Sequence, residues 1–228
     1  MTTIDVTIAE RTGERQLRFT ASRLVCCGWV GKDRMALQAH IDELGALGVP
    51  PPTRAPIYMN LSTSLLTTAQ AVDVVSDTTS GEVEYVLLRQ GGRMWVTVGS
   101  DQTDRRIETH SIVASKQMCV KYLADRCWPY EEVAPHWDQL VLRCWVTTSE
   151  RTLYQESALA HILAPDELLG TLPGGPLNDA DGLVLYSGTV ATKAGLMYGD
   201  RYELELDDPI LGRNIRGEYV VTQLAQYI

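Results

Sequence analysis

The sequence predicts a mainly β protein with some α, an α+β architecture in which a β-rich body follows a small N-terminal cap. Three observations predict it. Beyond residue 55 most segments are rich in β-branched and aromatic residues and are separated by turn residues. Helical spacing of apolar residues is confined to two short stretches. Strands do not alternate with helices in the way a βαβ fold requires.

In chain order, "TIDVTIAERTGERQLRFTA" alternates apolar and polar residues on either side of Thr12-Gly13, the pattern of an opening hairpin. A helix follows in "KDRMALQAHIDELGALGVPPP", where Met35, Leu37, Ile41, Leu44 and Leu47 fall at mostly helical spacing. Asp33 is its N-cap, and Gly48 before three prolines is its stop. The proline run divides a strand-helix cap, residues 1–55, from a catalytic body, residues 56–228. In the body, "APIYMNLS", "GEVEYVLLR", "RMWVTVGSD", "QLVLRCWVTT", "GLVLYSGT", "DRYELELDD" and "GEYVVTQLA" read as strands, and "YQESALAHILAPDELLG" reads as one short helix.

A chain of 228 residues, 45% hydrophobic and 21% charged, can bury a sizeable core. Its net charge of -9 opposes phosphate-backbone binding, so nucleic acid is not an expected partner. No apolar run approaches the ~18 residues of a membrane helix, and the N-terminus lacks the basic flank and apolar core of a leader. A soluble cytoplasmic protein is expected. Five cysteines without a C-x-x-C pair argue for reduced thiols rather than a disulfide framework. The chain lacks G-x-S-x-G and phosphate-binding glycine motifs, which removes serine hydrolase and nucleotide-dependent readings.

The stretch "GEVEYVLLRQGGRMWVTVGSD" carries the chemistry. Gly91-Gly92 between two strand-like runs favours a primed two-residue turn. That turn opposes Gln90 to Arg93, Leu88 to Trp95, Val86 to Thr97, Glu84 to Gly99 and Glu82 to Asp101. The three acids then share one face, with same-face neighbours roughly 6.5 Å apart along a strand and opposed Cβ atoms about 5 Å apart. Such carboxylates repel unless they protonate or find a cation, and an oxygen-only set suits Mg²⁺, Mn²⁺ or Ca²⁺ better than zinc. On spacing alone, the competing reading has Glu82 and Glu84 facing solvent and Asp101 capping a turn.

The ordered set of Glu-x-Glu, Asp in "GSDQTDR", Lys in "ASKQMC", Gln in "LYQES", "YSGT" and the closing "GDRYELELDDPILGRN" resembles the fumarylacetoacetate hydrolase superfamily over about residues 22 to 224. The resemblance implies a mixed β-roll or sandwich body and a homodimer. It also implies a divalent metal, Mg²⁺ or Mn²⁺ with Ca²⁺ as a third option, on Glu82, Glu84 and Asp101. It further implies a water-activating pair at His40 and Glu43 in "AHIDE", whose i, i+3 spacing lets the carboxylate orient the imidazole. Lys116, preferred over Lys121 for its "SKQ" context, falls at the lysine that donates to the substrate oxygen. Arg105, Gln155 and Thr189 fall where the family contacts substrate or braces the site. The chain departs from the family at "CCGWVGKDRMALQAH", which lacks the usual Asn-Tyr, and at "SGTVATKAG", which replaces Gly-Thr-Pro.

The implied activity is hydrolysis of a carbon-carbon bond in a small 2-oxo acid or 1,3-dicarbonyl, acylpyruvate-like compound through an enolate. The same site could instead serve a decarboxylase, isomerase or hydratase of a 2-oxo acid, and a non-catalytic binding protein could keep the fold and the metal. His110, His136 and His161 are not at metal-ligand spacing and are expected in core or surface roles.

Overall fold

The computed structural model describes residues 1–46, 51–174 and 181–227. In chain order the elements are β1 (Thr2–Glu10), β2 (Gly13–Ala21), β3 (Arg23–Gly28), α1 (Arg34–Ala46), β4 (Ile57–Leu61), β5 (Leu66–Thr67), β6 (Ala71–Val74) and β7 (Thr79–Ser80). The central stretch holds β8 (Val83–Gln90), β9 (Arg93–Asp101), β10 (Thr103–Asp104), α2 (Arg105–Glu108), α3 (Ile112–Gln117), β11 (Lys121–Leu123) and β12 (Arg126–Pro129). The remainder is α4 (Tyr130–Val133), β13 (Val141–Thr147), β14 (Arg151–Ala158), α5 (Pro165–Thr171), β15 (Leu183–Tyr186), β16 (Arg201–Asp208) and β17 (Arg213–Gln223). The protein is mainly β with few helices, as expected.

Two sheets dominate. The larger runs β2-β1-β12-β9-β8-β15-β3-β4, with β11 added alongside β9 and β5 alongside β11; the smaller runs β14-β13-β16-β17-β6. The strands β1 to β3 of the expected cap are thus hydrogen-bonded into the same sheet as the central hairpin. Only α1 stands apart, started by the Asp33 carboxylate, which accepts from Met35 N–H at 2.9 Å.

The β8–β9 hairpin lies between two cores. Val83, Tyr85, Leu87, Val96 and Val98 pack toward the five-stranded sheet, joining Leu142, Leu204 and Tyr219. Val86, Leu88 and Trp95 pack to the other side with Ile8, Phe19 and Tyr186. Burial of both faces explains why "VEYVLLRQ" does not alternate cleanly. Each such side chain contributes about 1.5–3 kcal/mol when fully buried, so the hairpin is a stiff platform.

One expected helix is corrected. Tyr154–Ala158 of "YQESALAHILAPDELLG" belong to β14, and α5 begins only at Pro165. Pairing with β13 overrides helix propensity there, and a bulge between Cys144 and Trp145 hides the period-2 pattern.

All five cysteines are free and buried. Burial pushes the Cys119 thiol up to about 11, which leaves it protonated. Among the described residues no helix is long and apolar enough to cross a membrane.

Candidate active site

Gly91 and Gly92 both take positive φ, 62° and 69°, as a primed turn demands, and the register is the expected one, with Gln90 opposite Arg93 and Glu84 opposite Gly99. Asp101 N–H donates to Glu82 O at 3.0 Å, continuing that register to the last pair. Carboxylate oxygens of Glu82, Glu84 and Asp101 consequently lie within 4.8 Å of one another. Gly99 is required where it stands: a Cβ there would fall 2.6 Å from Tyr122 O and 2.7 Å from Val86 Cγ2.

Among the described residues three cations surround the acids. Lys116 Nζ, brought in by α3, lies 2.8 Å from Glu82 Oε2, 2.6 Å from Asp101 Oδ2 and 3.3 Å from Thr103 Oγ1. Arg105 donates to Glu82 Oε1 at 2.9 Å, to Ser80 Oγ at 2.7 Å and to Glu108 Oε2 at 2.9 Å. Lys121, wholly buried and paired in register with Asp101, lies 2.8 Å from Asp101 Oδ1. Lys121 Nζ also donates to the Gln102 and Cys119 carbonyls, 2.8 and 3.0 Å away, so backbone groups fix its position beside Asp101.

Glu84 stands differently. Its Oε2 accepts from Gly188 N–H at 2.7 Å, while its fully buried Oε1 has no partner among the described residues. Burial, reinforced by the Asp101 charge, raises its pKa well above the usual carboxylate range. Burial would raise Glu82 too, but the Lys116 and Arg105 charges prevail and hold it at about 2. The same acids, Asp101 foremost, outweigh burial at Lys116 and keep it protonated.

Gln155 and Thr189 brace the acids. Gln155 Oε1 accepts from Val83 N–H at 3.0 Å, and Thr189 Oγ1 donates to Val83 O at 2.9 Å. Gln155 Nε2 also reaches Thr189 Oγ1 at 2.8 Å. Both side chains thus lock the residue between Glu82 and Glu84.

Glu82 and Lys116 open onto a cavity of about 510 Å³ whose lining includes Glu108 and Thr189 among its polar residues and Trp29, Leu37, Ile57, Met59 and Ile112 among its apolar ones. Lys116, not Lys121, faces this space. Sequence reasoning placed His161 in a core or surface role. It lines the cavity, with Nδ1 3.0 Å from Ser157 Oγ, and no motif marked it. It missed Trp29 as well, which walls the cavity in the left-handed region at φ 59°, a strained position for a bulky residue. The His40 and Glu43 side chains lie outside the described residues; their positions fall on α1, whose Leu37 lines the cavity.

The donor set fits a hard divalent cation: three clustered carboxylates, of which Glu84 and Asp101 each keep a buried oxygen without a hydrogen-bond donor among the described residues.

A family model described as a protein of unknown function, DUF2848, matches residues 27–219. The chain belongs to the DUF2848 family. No curated protein matches the sequence. Among solved structures, this DUF2848 chain is similar to a Burkholderia cenocepacia protein assigned as a fumarylpyruvate hydrolase, at TM-score 0.62 and 15% identity, over 99% of this chain and 98% of that one. A yeast fumarylacetoacetate hydrolase family protein gives TM-score 0.59 at 17% identity, over 89% and 94% of the two chains. A 2-keto-3-deoxy-D-arabinonate dehydratase gives 0.60 at 16%, over 94% and 78%. The DUF2848 chain therefore has the fold of fumarylacetoacetate hydrolase family proteins, a fold that hosts more than one chemistry.

Proposed function

We propose that this protein is a divalent-cation-dependent hydrolase that cleaves a carbon-carbon bond in a small 2-oxo acid or 1,3-dicarbonyl compound. The observation that carries the reading is the acid trio, with the orphaned Glu84 oxygen, whose Glu82 lines a largely apolar cavity together with Lys116. Glu82, Glu84 and Asp101 would hold Mg²⁺ or Mn²⁺, which supplies Lewis-acid polarisation of substrate oxygens when bound.

The chain's own groups do the rest. Lys116, the one lysine or arginine among the described lining residues, offers positive charge where a substrate oxygen becomes an enolate. Gln155 and Thr189, through Val83, hold the carboxylates in place, and the apolar wall shields the reacting centre and receives the substrate's side group. The family resemblance assigns to His40, with Glu43, the removal of a proton from water, and the resulting hydroxide would attack a carbonyl carbon. The carbon-carbon bond breaks, its electron pair leaves as the enolate, and a proton returned to that carbon completes the product. The family resemblance also carries a homodimer, which sedimentation equilibrium tests.

Calorimetric titration with Mg²⁺, Mn²⁺ and Ca²⁺ tests the site on wild type and on Glu82→Ala, Glu84→Ala and Asp101→Ala. Wild type should bind and each folded variant should lose binding, and wild type with Mn²⁺ should turn over at least one acylpyruvate in a panel that includes oxaloacetate. Binding without any turnover would favour a ligand-binding protein. A His40→Ala variant that still decarboxylates a 2-oxo diacid would move the reaction to the lyase class.

A further inference from the structure

We propose that the Lys116 ammonium and a divalent cation are alternative occupants of the same two carboxylate oxygens, Glu82 Oε2 and Asp101 Oδ2, so that cation entry turns Lys116 out of the acid cluster and into the cavity. The proposal rests on the metal reading above and adds an order of binding to it.

The three cations around the trio are not equivalent. Arg105 takes Glu82 Oε1 and is anchored elsewhere by Ser80 and Glu108. Lys121 takes Asp101 Oδ1 and is pinned by backbone carbonyls. Both leave the remaining oxygens of Glu82 and Asp101 to Lys116, which bridges the two strands at 2.8 and 2.6 Å. A single positive charge thus stands between acids that would otherwise repel, the role the acids' own chemistry assigns to a cation.

Two features make this occupant exchangeable. Lys116 also lines the cavity, and it sits in the last turn of a six-residue helix, so its long side chain can swing outward without moving the hairpin. It leaves Glu84 Oε1 unsatisfied, whereas a divalent cation takes several carboxylate oxygens at once. Two cations bound to the same Glu82 Oε2 and Asp101 Oδ2 repel each other at contact distance, so occupancy by one disfavours the other. Displaced into the cavity, Lys116 meets the substrate oxygen only in the cation-loaded protein. The cation therefore binds before the anionic substrate; without it the Lys116 ammonium, although at the cavity wall, stays engaged with the two acids.

The test is Mn²⁺ binding by calorimetry to wild type and Lys116→Met, together with reductive methylation of wild-type lysines and peptide mapping with and without Mn²⁺. Removing the competitor should tighten Mn²⁺ binding about tenfold or more. Mn²⁺ should raise modification of Lys116 while Lys121 stays protected. If Mn²⁺ binds wild type but Lys116→Met binds no tighter and Lys116 modification is unchanged, the exchange is wrong and the metal site stands. If neither protein binds Mn²⁺, the metal reading fails and this proposal falls with it. Should Lys116→Met not fold, the modification pattern of wild type decides alone.

Discussion

Two charge clusters of similar composition occupy this protein at very different depths. On the outer face of the five-stranded sheet, Arg143 bonds Glu156, Glu205 and Asp207, Arg216 bonds Glu205, and Arg151 bonds Glu203. There each of these acids has a basic partner, and Arg151 and Arg216 are 50% and 72% exposed. At the end of the β8–β9 hairpin, Asp101 and Lys121 are fully buried, and Glu84 keeps an oxygen with no partner among the described residues. Charge density is therefore not what marks a site. Enclosure makes each pairing costly to break, whereas the outer cluster, with most of its arginines partly solvated, pairs its acids more cheaply.

The largest effect should come from Asp101→Asn, which strips two buried ammonium groups of their shared partner. Denaturant unfolding should show a loss of about 3–5 kcal/mol. A loss of a few tenths would mean that Lys116 and Lys121 find other acceptors and that the two clusters do not differ as argued.

An intermediate effect is expected in acid. With Glu82 held at about 2 against an ordinary 4.5, the folded state binds the proton less readily than the unfolded chain. Its stabilising contribution is complete above pH 4.5 and is lost as pH falls from there toward about 2. Stability measured against pH should therefore fall less steeply through that window in Glu82→Gln than in wild type. Parallel curves would place Glu82 outside the influence of Lys116 and Arg105.

The smallest effect belongs to the outer lattice. Arg151→Ala removes the contact to Glu203 and the guanidinium stacked 4.3 Å from the Trp145 ring, yet should cost only about 0–1 kcal/mol. A cost comparable with that of Asp101→Asn would erase the contrast between the regions.

Much of the site was legible because its geometry is local. A two-residue Gly-Gly turn sets the pairing of every residue in its hairpin, so Glu82, Glu84 and Asp101 could be placed on one face by counting, and burial of Glu84 and Asp101 followed from packing. Other features were illegible for the opposite reason. Tyr154–Ala158 carry good helix formers, and only a partner strand and a bulge make them β. His161 enters the cavity through the short turn Leu159–His161 that follows β14, a placement no local pattern encodes.

The two lysines show the division most clearly. Sequence by itself determined that acids and glycines would form a carboxylate face at a hairpin end, because strand periodicity and turn chirality act over a few residues. Which cation reaches which oxygen was decided only by tertiary structure. β11 lies beside β9 and buries Lys121 against Asp101, while α3 turns Lys116 toward the cavity. Those placements depend on contacts between segments distant in the chain, and charge alone does not distinguish one lysine from another five residues away.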